Sequence, residues 1–302
     1  MSRILIPVDY SLACHNAYRF GLQLAQELEL DVVLTHYYSG ALDPRTSLHV
    51  SGDGTIYGNH LARLRRFAYA TAKAPSYPPV DLPEEVDLMY EVAVRMSASA
   101  AILERAREED ISVVVMAPRS STALLGKWLG STATTVSEAC DRPVYIVPSH
   151  CRYAPFRRMV VANNQDTADP YPLWQLQGLA EYYGAKVHFV HVHTPGAEQP
   201  VRFVPWDLME ALMEREVGVK YPFNVVTVTD SDISNGLIAY AEEVDADLIV
   251  IVNQTRTRWT ALLQRTLTQD LVVRSRFPVL VLHRSPAPQA VAHGQEGRSQ
   301  AY

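Results

Sequence analysis

The second half of this sequence repeats the order of the first, and that duplication limits what the chain can fold into. RMVVAN, from Arg158 to Asn163, falls 155 positions after the apolar run that begins at Arg3. His36 in LTHY and His191 in FVHV keep that offset, whereas Asp110-Ile111 and Asp245-Ala246, like Pro143 and Pro278, stand 135 apart. The missing 20 positions come mostly from Ser39 to His60, an irregular first-half segment that is shortened in the second half. Repetition at this scale implies two copies of one structural plan. A chain of 302 residues is long enough for two domains of about 150 residues, each with its own core.

The plan itself alternates strand and helix. Arg3 to Val8 is a compact apolar run ended by Asp9, as expected for a parallel strand covered on both faces. Apolar residues at helical spacing (Ala17, Phe20, Leu24, Leu28) predict a helix over Ala13 to Leu28. Asp31 to Tyr37 reads as the second strand and Leu61 to Ala74 as a helix carrying Arg63, Arg65 and Arg66, which read as a solvated face in preference to a binding site. Val86 to Val94, Ser97 to Glu108, Ile111 to Met116 and Val144 to Val147 follow as strand, helix, strand and strand. The fold class is therefore α/β, with two tandem doubly wound domains, each a five-stranded parallel sheet with helices on both faces. The boundaries read as 1–150 and 151–284, with Cys151 to Arg157 as linker and 285–302 as a disordered tail rich in Pro, Ala, Gln and Gly. Two apolar fifth strands, VYIV and VLVL, leave each domain a sheet edge that needs covering. Pairing them within the chain, as a pseudo-dimer, covers both; a homodimer and other protein partners stay open.

Charge and composition remove several function classes. A net charge of −6 and the lack of a Lys/Arg run argue against nucleic acid as a partner. No apolar stretch approaches the roughly 18 residues of a membrane span. MSRILIPVDYS turns polar too early for a signal peptide. Cys14, Cys140 and Cys151 share no metal or redox spacing and read as reduced thiols, which makes the cytoplasm the expected location.

Chemistry concentrates between Val113 and Val147. A β-branched run, a small-residue loop, Gly130-Ser131 opening a helix, and an apolar run led by Pro143 give strand, loop, helix and strand. In that order a helix N-terminus can face an anion. Ile249 to Leu282 is the second copy, with its small residues replaced. Asp9, just past the first strand, stands where open α/β sheets place ligands, and serves equally well as a cap for the next helix. Other motifs fail. Gly126-Lys127 has Ser121 where a Walker loop needs glycine and Trp128 where it needs Ser or Thr, and neither G-x-S-x-G nor G-x-G-x-x-G is present. Gly52-Asp53-Gly54 is a turn signal only. His188, His191 and His193 look like a metal cluster, but strand alternation turns His188 away from the other two, so no metal site is assigned. No set of residues is assigned a catalytic role.

With these residues in view, the chain resembles the universal stress protein family in tandem form, over nearly its whole length. The resemblance implies an adenine-nucleotide alpha-hydrolase-like fold and a loop of the form G-x2-G-x9-G-(S/T) after the fourth strand. Here Ala117 and Ser120 take the first two glycine positions and Gly130-Ser131 the last pair, with Thr132 following. IPVDYS resembles the family's opening motif, so Pro7, Val8 and Asp9 are implied nucleoside contacts, with Met116 beside the loop and Tyr37 where main chain meets adenine. If Ala117 and Ser120 need positive φ, each costs on the order of 1 kcal/mol in strain. In the second half the same spacing reads Val252, Thr255 and Arg265-Thr266, and Asn164 replaces the aspartate, so no cofactor is expected there. The resemblance implies a non-catalytic stress-response or small-ligand-sensing protein. The alternatives are ATP binding with Mg and slow or no hydrolysis in the first half only, or an interaction scaffold with vestigial pockets. Ser39 to His60 could close over the pocket as a lid.

Overall fold

The computed structural model describes residues 2–38, 56–71, 77–118, 130–162, 171–196, 221–253 and 267–283, with backbone alone at 171–175 and 253. Most of the Ser39 to His60 segment, Ser120, Gly126-Lys127, Asn164, Thr255, Arg265-Thr266 and the 285–302 tail lie outside the described residues.

In the first half β1 (Arg3–Pro7), α1 (Leu12–Glu27), β2 (Asp31–Tyr38), α2 (Ile56–Ala68), β3 (Leu88–Val94), α3 (Ala98–Ala106), β4 (Ile111–Met116), α4 (Ser131–Ala139) and β5 (Val144–Ile146) follow one another. The second half contains β6 (Arg158–Ala162), α5 (Tyr171–Tyr183), β7 (Lys186–His193), β8 (Phe223–Thr229), α6 (Ile233–Glu243), β9 (Leu248–Asn253), α7 (267–274) and β10 (Val279–His283). One expected helix moves substantially at both ends, since α2 spans Ile56–Ala68. α2 starts at Ile56, inside the segment read as irregular, because His60 in its first turns stacks on Tyr38 at 3.9 Å. That anchor comes from β2, so helical periodicity alone could not reveal it.

Strand alternation explains the layers. Ile4 and Ile6 point into one core with Phe20 of α1 and Phe67 of α2, while Leu5 points into the other with Ile102 of α3 and Val136 of α4. Both faces of the sheet are apolar, which is why β1 reads as an unbroken hydrophobic run. Beneath β1, Arg105 of α3 donates to Asp110 and to Glu91 of β3, and Arg3 donates to Asp110 at 2.6 Å. Those pairs hold the Asp110 carboxyl down to about 2, with the Arg105 hydrogen bond as the first cause.

The strand order is β3-β2-β1-β4-β5 in the first half and, read outward from the opposite edge, β8-β7-β6-β9-β10 in the second. Registers repeat with the sequence offsets: Leu5 pairs with Val114, and Val160 with Ile249. The expected pairing of the two fifth strands within the chain is present. β5 and β10 pair antiparallel, and the halves merge into one ten-stranded sheet. Equivalent residues then meet on a pseudo-two-fold axis. Tyr145 faces Leu280 within the sheet, and on the α1 side the Tyr182 hydroxyl donates to the Glu27 carbonyl. On the other side Gln269 reaches Thr134 at 3.5 Å. Each pair is separated by one of the two repeat offsets, which is what a two-fold relation between duplicated halves requires. Among the described residues no helix is long and apolar enough to cross a membrane.

Candidate functional site

In the order β3-β2-β1-β4-β5 the chain reverses its winding between β1 and β4, and ligands of such sheets bind beyond the carboxyl ends of those strands. Pro7, Val8 and Asp9 leave β1 there, Met116 and Ala117 leave β4, and Gly130, Ser131 and Thr132 begin α4. The fold thus brings the sequence-selected residues to one end of the sheet, Ser120 lying outside the described residues.

Each has a definite local role. The Val8 N–H donates to the Thr35 carbonyl at 2.7 Å, carrying the β1 ladder one residue past the strand. Asp9 is exposed, and its Oδ1 accepts from the Ser11 N–H at 2.9 Å. Ser11, not Asp9, caps α1, its hydroxyl accepting from the Cys14 N–H. The Tyr37 side chain packs on the α3–α4 side of the sheet, whereas His36 and Tyr38 face α2. His36 Nδ1 lies 2.8 Å from the Val8 carbonyl, and a carbonyl only accepts, so the proton sits on Nδ1. Burial, first among the causes, pushes the His36 pKa down, so the ring stays neutral near pH 7.

The strain expected at Ala117 is absent. Among the described residues the non-glycines with positive φ are Tyr10, Glu29 and Asp245. Ala117 is therefore an ordinary residue in a tight place, and the strain sits at Tyr10, at φ 63. Sequence reasoning passed over Tyr10 because nothing in DYSL signals a left-handed residue. Gly130 has φ −61 and ψ 146, a conformation open to any side chain, so the backbone does not require glycine there. It carries no side-chain cap, in contrast to Ser11 on α1, Ser97 on α3 and Asp232 on α6.

The second-half equivalents Asn164, Thr255 and Arg265-Thr266 lie outside the described residues, and the histidines of that half are dispersed. His188 meets the Tyr240 hydroxyl at 2.9 Å on the α6 side, His191 is buried, and His193 is exposed. No group of three or more His, Cys, Asp or Glu among the described residues could hold a metal. A cavity of about 700 Å3 opens one strand away from the switch point, against α2, with Tyr10 and Arg63 in its wall.

This fold defines a tandem pair of doubly wound α/β domains. The family model for the universal stress protein family matches residues 1–148 and again 155–283, and the chain belongs to that family. Among solved structures, a universal stress protein from Archaeoglobus fulgidus is 16% identical, with 93% of this chain and 96% of that chain covered at a TM-score of 0.61. A protein of unknown function from Pseudomonas aeruginosa is 15% identical, with 94% and 93% covered at a TM-score of 0.54. Likeness at these identities concerns the fold. No curated protein compared with the chain matches it.

Proposed function

We propose that this protein is a non-catalytic, ligand-sensing universal stress protein whose first half holds one small phosphate-bearing ligand, ATP with Mg, and whose second half is its structural partner. The observation that carries this reading is the start of α4. Among the described helix starts it stands beside α1, α3 and α6 as the one without a side-chain cap, and the glycine at its N-cap has no side chain to supply one. Unsatisfied N–H groups at a helix start, together with the helix dipole, favour an anion. Ser131 and Thr132 add two hydroxyls. The non-catalytic part of the reading rests on the neighbours. Asp9 uses Oδ1 to accept from the Ser11 N–H and His36 uses Nδ1 to donate to the Val8 carbonyl, so each has a structural contact, and no set of residues is assigned a catalytic role.

Calorimetric titration with Mg-ATP, beside a Gly130→Arg variant that copies the second-half residue, tests the site. The native chain is expected to bind and the variant to lose about tenfold or more in affinity, since an arginine side chain would fill the space left for phosphate. The extended backbone at Gly130 accepts arginine without strain, and a melting curve verifies that the variant folds. No binding by the native chain would sink the nucleotide reading, and phosphate release above background would sink the non-catalytic one.

A further inference from the structure

The cavity against α2 is separate from the helix start just discussed and has its own chemistry. It is a surface cleft whose wall includes Tyr10, Phe67, Tyr77 and the solvent-exposed Arg63, Arg65 and Arg66, and its volume of about 700 Å3 suits a small organic molecule. Among the described residues no ion pair joins Arg63, Arg65 or Arg66 to a carboxylate. Arg63 and Arg66 stand three apart on one helix, where like charges repel, so an arriving anion relieves an existing cost. The Arg63 guanidinium lies 3.9 Å over the Tyr10 ring. A guanidinium stacked in this way uses its face and keeps its in-plane N–H donors for a carboxylate or phosphate.

The rest of the wall is aromatic and held in place. Phe67 meets Tyr10 edge-on at 5.8 Å and Tyr77 edge-on at 5.1 Å. Behind Tyr77 the buried His15 ring stacks at 4.7 Å, and the Tyr77 hydroxyl donates to the Tyr10 carbonyl at 2.8 Å. Tyr10 has a positive φ, and its own buried hydroxyl has no partner among the described residues. A strained residue with an unused buried hydroxyl on a cavity wall is the kind of arrangement that binding sites retain. The arginine spacing of α2 is not repeated in the second-half sequence. In the duplicated segment between β7 and β8 the chain reads DLMEALMERE, with Asp207, Glu210, Glu214 and Glu216 in place of an arginine cluster.

We propose that this cavity binds a small organic anion, its carboxylate or phosphate group held by Arg63 and Arg66 and its flat apolar body resting on Tyr10, Phe67 and Tyr77. The test is calorimetric titration of the full chain with phenyl phosphate, benzoate and inorganic phosphate. The native chain, the Arg63→Gln/Arg66→Gln double variant, Arg63→Lys and Gly130→Arg are compared, with melting curves to verify folding. Saturable binding of phenyl phosphate or benzoate is expected, with inorganic phosphate about tenfold weaker for want of an apolar body. The double variant should bind about tenfold or more weakly, Arg63→Lys should fall between, and Gly130→Arg should match the native chain. Equal binding of inorganic phosphate would overturn the aromatic half of the proposal. Absence of saturable binding, indifference to the arginine changes, or loss in Gly130→Arg would overturn the site itself. Because Gly130→Arg disables the other site, failure here and failure of the Mg-ATP reading are distinguishable.

Discussion

At the scale of single residues, burial decides the state of the titratable groups. His15 of α1 lies in the aromatic wall between Tyr77 and Phe67, and its pKa is lowered from 6.5 to about 4, by burial first and by the nearby Arg19 second. A pKa depressed in the fold means stability that is fully present above 6.5 and lost as pH falls toward about 4. Melting temperature should therefore decline across that window, and a His15→Phe variant should decline less steeply there. Identical slopes would mean that His15 takes up its proton without disturbing the fold. Two readings of Asp9 were equally open in the sequence, ligand contact or helix cap. The structure gives it a third role, bracing the turn ahead of Ser11, and leaves it exposed at the carboxyl end of β1. Tyr10 shows the limit of local reading, since it meets Tyr77 and Arg63, residues more than 50 positions away.

Helices are seated on the sheet by small residues at the points of closest approach. A Cβ at Gly236 of α6 would stand 2.8 and 3.1 Å from the Val192 methyls of β7 and 3.2 Å from the Asp230 Cβ. Valine is stiff about χ1 and cannot swing away, so Gly236→Ala should force α6 off the sheet. The expected cost is about 1–3 kcal/mol, read from denaturant unfolding. A wild-type midpoint would show that α6 can slide to make room. The contrast with Gly21 is informative, because its nearest neighbour, the Ile6 Cδ1 at 2.5 Å, is the far end of a flexible side chain. Elements with a strong apolar period were legible in the sequence, β4 to the residue and α1 to within one. α2 was misplaced at both ends, because its start depends on the ring of Tyr38.

For the molecule as a whole, the join between halves is a continuation of the core. Tyr145 and Leu280 face each other on the pseudo-two-fold axis, both buried, within a cluster that includes Phe20 of α1 and Tyr183 of α5. Leu280→Ala would open a cavity on that axis and cost about 2–5 kcal/mol. Because the cluster spans both halves, one cooperative transition is expected to move to lower temperature in calorimetry. A second transition moving alone would mean that the halves unfold independently. His283 of β10 strengthens the join from the other face, with its Nε2 at 2.8 Å from the Ser137 carbonyl of α4.

The sequence by itself determined the duplicated plan, the order of strands and helices, the two apolar fifth strands and the retained glycine at position 130. All of these follow from periodicity, spacing and composition, which are written locally along the chain. Tertiary structure alone decided that the fifth strands would run antiparallel into one sheet, and that Glu27 meets Tyr182 and Thr134 meets Gln269 across the axis. It also decided that Tyr10 would be left-handed beside a basic cavity. Each of these depends on residues far apart in the chain arriving together, and the free energy of such contacts belongs to the packed molecule rather than to any segment of it.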